Sequence, residues 1–191
     1  MIAAAKITYL QERIARYDDQ LAYKELFVQL YQPLLQFAAS FVKSKEPAEE
    51  IVSDVFMAVW EKRKRIGSIS NLKVYLYVAV KNTAINYLGR QNRLVTTNID
   101  EMDLEPESIW FNPEQLLITA EMSKRIREVI DQLPPKCRII FKLVKEDELK
   151  YREVAEILNL SVKTVENQLS IALRKIGAAI RFDIKKTISP L

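Results

Sequence analysis

Apolar residues recur at intervals of three and four along most of this chain, the period of helices that each bury one face. Ile7, Leu10 and Ile14 predict a first helix over 6–17. Leu26, Phe27, Leu30, Leu34, Phe37 and Phe41 predict dense helical packing from Leu21 to Val42, with Asp18 or Asp19 as its N-cap. Pro33 is expected to divide that segment into a helical pair, because proline lacks an N–H and clashes with the preceding turn. Pro47 opens the next helix as its first residue. Its buried stripe reads Ala48, Ile51, Val52, Val55, Phe56 and Val59, and the other side carries Glu50, Asp54 and Glu61 with Met57 among them. Lys62-Arg63-Lys64-Arg65 leads into the loop Ile66–Ser70. A helix capped by Ser70 or Asn71 then runs from Leu72 to about Arg93. Leu76, Val80, Ala84 and Tyr87 make one apolar face, Val78 and Ile85 another. Tyr75, Ala79, Asn82, Asn86, Arg90 and Arg93 fall on the remaining line.

Residues 94–113 break the pattern with Thr96, Thr97, Asn98, Pro106 and Pro113, and read as a linker. Periodicity returns from Glu114 with Leu117, Ala120, Ile126, Val129, Ile130 and Leu133, and stops at Pro134-Pro135. A further helix runs from Lys136 to about Lys145 with Ile139, Ile140, Phe141 and Leu143 inward. In YREVAEILNLSVKTVENQLSIALRK, Val154, Ala155, Ile157 and Leu158 form a short apolar face that Asn159-Leu160-Ser161 interrupts. Val162, Val165, Leu169, Ala172, Leu173 and Ile176 then resume it. That is a helix-turn-helix pattern, with Ser161 capping the second helix. Lys163, Thr164, Asn167, Ser170, Ile171 and Arg174 face the other way, a set that suits a major groove flanked by phosphates, with a solvated helical hairpin as the lesser reading.

The expected fold class is all-α: two helical domains joined by an acidic linker, the second a four-helix helix-turn-helix domain. The boundaries are 1–93, 94–113 and 114–191. Composition supports this, since 3 Gly can build neither a Gly-rich phosphate loop nor many tight hairpins. Histidine is absent and Cys137 stands alone, which excludes zinc fingers, histidine bases, Cys/His nucleophile pairs and disulfide frameworks, and leaves Cys137 as a small inert residue. No catalytic residue, metal site or cofactor is expected. The longest apolar run, Tyr75–Val80, is too short to span a bilayer, so a soluble, cytoplasmic protein without membrane insertion is expected.

Charge sharpens the division. Residues 1–93 carry +5, 94–113 carry −5 and 114–191 carry +4, within a net charge of +4. Two basic modules gain affinity from nucleic acid by counterion release, whereas Asp100, Glu101, Asp103, Glu105 and Glu107 between them are repelled by it. The Glu50/Asp54/Glu61 ridge reads as a solvated face, as a docking surface for a basic partner helix, or as a carboxylate metal site, the last disfavoured without histidine. The Lys62–Arg65 run either holds a phosphate backbone beside a small-residue loop or supplies C-terminal cations to a helix. On the Leu72–Arg93 helix, one aromatic, two amides and two arginines in line offer a stacking ring, base-edge donors and acceptors, and phosphate anchors.

These residues, in this order, resemble the extracytoplasmic-function sigma factors, two-domain bacterial transcription initiation factors, over nearly the entire chain. AEEIVSDVFMAVWEKR is similar to the family's second-region motif, with Ser53 where glutamine is usual. The resemblance implies that Glu49, Glu50, Ser53 and Asp54 dock on the β′ clamp of core RNA polymerase, and that the β flap is a second contact. NLKVYLYVAVKNTAINYL is similar to the helix that reads the minus-ten element as a single strand, with Tyr75 where tryptophan is usual and Asn82 at the family's asparagine. Arg65, Gly67 and Ser68 then belong to the loop that receives a flipped base, with Tyr75, Asn82, Asn86, Arg90 and Arg93 along the strand. The acidic linker resembles one that follows the polymerase's nucleic-acid channels.

The last module resembles the family's fourth region, which binds minus-thirty-five duplex DNA. Its candidate contacts are Lys163, Thr164, Asn167, Ser170 and Arg174. Glu166, Gln168 and Ile171 occupy positions where relatives carry arginine, which implies a different promoter sequence. An anti-sigma partner is implied as well. The competing reading is a helix-turn-helix regulator that does not bind core polymerase, since Thr164-Val165-Glu166-Asn167 also fits such recognition helices.

Overall fold

The computed structural model describes residues 4–91 and 120–188, with side chains over 4–90 and 124–179. The described residues form helices and no strand. The chain divides into two compact units, the first with α1 (Ala4–Tyr17), α2 (Gln20–Val42), α3 (Lys45–Glu61), α4 (Arg63–Ile66) and α5 (Leu72–Gln91).

Ile7, Leu10 and Ile14 bury the inner face of α1. Asp19 caps α2 by accepting from the Leu21 and Ala22 N–H groups, each at 3.0 Å. The α2 segment is one helix, and the expected division at Pro33 does not occur. An interior proline costs about 3 kcal/mol. Leu30, Leu34, Leu35 and Phe37 are buried on either side of it, and each contributes ~1.5–3 kcal/mol, so packing outweighs the missing hydrogen bond. The helix ends at Lys43, in left-handed conformation at φ 56°.

The predicted stripe of α3 is buried at all six positions. The helix starts at Lys45, two residues before Pro47, because the early N–H groups of a helix have no internal partner for a proline to remove. Aromatic rings tie α2 to α3: Phe27 meets Phe56 at 4.8 Å and Tyr23 meets Trp60 at 4.9 Å between centroids. The Tyr23 hydroxyl donates to the Phe56 carbonyl at 2.8 Å.

Helix α5 is capped by Asn71, whose Oδ1 accepts from the Val74 N–H at 3.2 Å. Its core face holds Leu76, Val80 and Ala84 as predicted, and also Leu72, Val74 and Tyr77, while Val78, Ile85 and Tyr87 are only half-buried. Three helices pack on α5, α2 and α3 foremost, which widens its buried arc beyond one stripe.

The rest of the described chain carries α6 (Ala120–Asp131), α7 (Pro135–Lys145), α8 (Tyr151–Leu158) and α9 (Val162–Ile188). Ile130 and Leu133 are buried, and the buried Arg138 donates to the Asp131 carbonyl at 2.6 Å, serving the end of α6. In α7 the predicted Ile139, Ile140, Phe141 and Leu143 are inside. The linker 94–113 and residues 114–119 lie outside the described residues.

Candidate nucleic-acid interface

Backbone chemistry builds the helix-turn-helix. Glu153 accepts from the Lys150 N–H at 2.7 Å and starts α8. Asn159, at φ 56°, ends it, with its own N–H bonded to Glu156 and the Leu160 N–H to Ala155. Asparagine tolerates the left-handed conformation that this paired-bond cap requires. Ser161 Oγ accepts from the Thr164 N–H at 3.0 Å and fixes where α9 begins, as expected.

Val165, Leu169, Ala172 and Ile176 form the buried line of α9, but Val162 and Leu173, expected inside, are exposed. The inward arc is therefore narrower than the apolar spacing suggests. Lys163, Asn167, Ser170 and Arg174 are exposed on the outward side, while Thr164 and Ile171 are half-buried. Thr164 pairs with the Ser161 hydroxyl, Lys163 lies 3.5 Å from Glu166, and Ser170 Oγ donates to the Glu166 carbonyl. Gln168 turns inward instead: its Oε1 accepts from the Cys137 thiol at 2.8 Å, linking α7 to α9. Burial raises the pKa of that thiol, which keeps it protonated.

In the first unit Glu50, Ser53 and Asp54 are exposed on α3, and Glu49 is half-buried and pairs with Lys45 at 3.3 Å. Beside them lies a feature that no spacing in the sequence shows. Gln20, Tyr23, Met57, Trp60 and Glu61 line an open groove of about 370 Å³. The exposed Met57, noted at helical spacing, was its one legible signal. Among the described residues no three carboxylate or thiol groups converge as a metal site.

After α3 the chain makes the short α4, so Ile66 is helical and buried where a loop residue was expected. The exposed part of the Arg65–Ser70 segment is Arg65, Gly67, Ser68 and Ser70. Ser68 Oγ donates to the Arg65 carbonyl at 2.8 Å, so the loop closes on itself. Along α5, Tyr75, Asn82, Asn86 and Arg90 are exposed on one line, Tyr75 at 41 %, and Arg93 lies outside the described residues. Lys81, a further cation of this helix, is buried, and burial lowers its pKa. Of the neighbouring basic run, Arg63 is turned inward, donating to the Trp60 carbonyl, and Lys62, Lys64 and Arg65 remain exposed.

The sequence matches the profile described as Sigma-70 region 2 over residues 26–94 and that of Sigma-70, region 4 over 123–176. It is 26% identical over 179 residues to the ECF RNA polymerase sigma-E factor of Escherichia coli strain K12, covering 90% of this chain and 93% of that one. It is 25% identical over 166 residues to the RNA polymerase sigma factor YlaC of Bacillus subtilis strain 168, covering 87% and 91%. Two solved structures share the fold with a TM-score of 0.56 each. One is CnrH in complex with the cytosolic domain of CnrY, 20% identical over 93% of this chain and 99% of that one. The other is RpoE with the anti-sigma factor NepR from Bartonella quintana, 21% identical over 84% and 98%. Among the described residues no helix is long and apolar enough to cross a membrane. The two profiles cover the two helical parts of the chain in order, and the chain belongs to the extracytoplasmic-function sigma factors of the sigma-70 family.

Proposed function

We propose that this sigma factor, a non-enzymatic initiation subunit, directs core RNA polymerase to promoters by capturing the melted minus-ten strand on α5 and the Arg65–Ser70 loop. The exposed line Tyr75–Asn82–Asn86–Arg90 carries this reading. It extends about 22 Å along the helix, enough for roughly six stacked nucleotides at ~3.4 Å each. Tyr75 supplies a stacking face, the two amides supply donors and acceptors to base edges, and Arg90 supplies a phosphate contact, continued by Arg93. Arg65, Gly67 and Ser68 receive a flipped base, whose unstacking of a few kcal/mol the pocket contacts offset.

Glu49, Glu50, Ser53 and Asp54 dock on a basic helical segment of the β′ clamp. The groove of Tyr23, Met57 and Trp60 beside them supports this, because acid beside an apolar slot suits an amphipathic basic helix. Residues 114–191 meet the β flap and hold minus-thirty-five duplex through α9, with Lys163, Thr164, Asn167, Ser170 and Arg174 as the contacts and 94–113 as the connection between domains. Asn167 and Arg174 are the better candidates there, since Lys163, Thr164 and Ser170 already have partners within their own helix or its cap. An anti-sigma partner, such as RpoE has in NepR, is extended to this chain.

The test is reconstitution with bacterial core polymerase and run-off transcription over genomic DNA. Co-elution with core and discrete start sites are expected. A helix-turn-helix regulator that acts without core would give neither.

A further inference from the structure

Gln11 sits on the buried face of α1, between Leu10 and Ile14, and is 5% exposed. An apolar residue would satisfy packing there, and a buried amide is costly unless its hydrogen bonds are made. Both of its N–H donors are used at one place. Gln11 Nε2 donates to the Ile66 carbonyl and to the Ile69 carbonyl, each at 2.7 Å. The Ile69 N–H also donates to Ile66, at 3.0 Å, so the amide locks a turn that already closes on itself. One turn further along α1, Ala15 lies against the same segment, its Cβ 3.1 Å from where a Cβ on Gly67 would stand. The buried Ile66 side chain supplies the loop's apolar anchor. Helix α1 precedes the residues matched to region 2, 26–94.

We infer that Gln11 is a positioning residue, which through these two hydrogen bonds fixes the shape of the Arg65–Ser70 loop so that a flipped minus-ten base finds a preformed pocket. The inference rests on the base-capture reading of that loop. A loop that holds its binding shape only part of the time binds more weakly in proportion to that fraction, and the Gln11 amide removes the loss. The Ile69 carbonyl and the second lone pair of the Ile66 carbonyl give the buried amide its partners, which is why a glutamine stands among apolar residues there.

The experiment uses holoenzyme reconstituted from the full chain and the single-stranded non-template oligonucleotide of a promoter located by run-off mapping, with 2-aminopurine replacing its adenines in turn. Gln11→Met keeps the length of the side chain and removes the donors. It is expected to weaken oligonucleotide capture about tenfold and to suppress the fluorescence rise of the flipped base, with core affinity unchanged. Gln11→Glu offers a donor only when protonated, so its capture should recover towards the parent's as pH falls from about 8 to about 6, whereas Gln11→Met stays flat. Ala15→Val leaves Gln11 intact and crowds Gly67 from a half-exposed site, so it decides the matter should the Gln11 variants not fold; it too should reduce capture. Parent-like capture by folded Gln11→Met, or by Ala15→Val where Gln11→Met does not fold, would overturn the inference. Gly67→Val alters the loop directly: if it also leaves capture unchanged, the base-capture reading itself fails, and if it alone reduces capture, only the role of Gln11 does.

Discussion

Arg63 lies over the ring of Trp60, its guanidinium carbon 4.7 Å from the ring centroid, and donates to the Trp60 carbonyl at 3.0 Å. Its Nε pairs with Asp18, so one side chain ties the end of α3 to the α1–α2 corner. Trp60 also packs on Tyr23 and lines the groove beside the acidic ridge. The cationic run is thus two things at once: Arg63 is structural, and Lys62, Lys64 and Arg65 face solvent.

Arg63→Ala removes the stacking and the hydrogen bond to a carbonyl, and is expected to lower stability by about 1–2 kcal/mol in urea unfolding. Arg63→Lys retains the charge without the planar face and should recover less than half of that loss.

Asp19 accepts from two N–H groups at the start of α2 and pairs with Arg13 at 2.7 Å. The Ala22 N–H foremost, then Arg13, holds its carboxyl below the ordinary 3.8. Because the folded value is depressed, its contribution is fully present above that ordinary value and is lost as pH falls through the folded one. Asp19→Ala should therefore lower the urea midpoint at neutral pH and flatten the acid limb of a stability–pH curve, read by circular dichroism.

Glu50 and Asp54 project from adjacent turns of α3. Reversing both to lysine is expected to weaken core binding at least about tenfold, chiefly through the association rate, and to reduce its salt dependence. Stopped-flow association with labelled core measures both effects. An unchanged rate would return the ridge to plain solvent exposure.

Asn82 is exposed in the middle of the α5 line, so its loss should leave the fold intact. Asn82→Ala is expected to weaken capture of the single strand by holoenzyme about tenfold, within the ~1–3 kcal/mol typical of one base contact. Duplex binding upstream should be unaffected, as footprinting of the two promoter elements would separate. Equal losses at both would contradict the proposed division of labour.

Most of the helices, several of their caps and much of their inner faces were legible in the order of residues alone. Helical period is a local property, and Asp19, Asn71 and Ser161 act on backbone groups two or three residues away, so the inner stripe of α3 and the turn of the helix-turn-helix were legible without neighbours. Features that depend on distant packing were not legible there. Pro33 remains inside one helix because buried residues flank it on both sides. Val74 and Tyr77 are buried because α5 is covered by several helices, and Val162 and Leu173 are exposed because the covered arc of α9 is narrow. The groove of Tyr23, Met57 and Trp60 exists only where α2 lies against α3. The burial of Gln11 had no counterpart in the sequence pattern; its reason is a pair of carbonyls 55 and 58 residues away, which only the folded chain brings within hydrogen-bond reach.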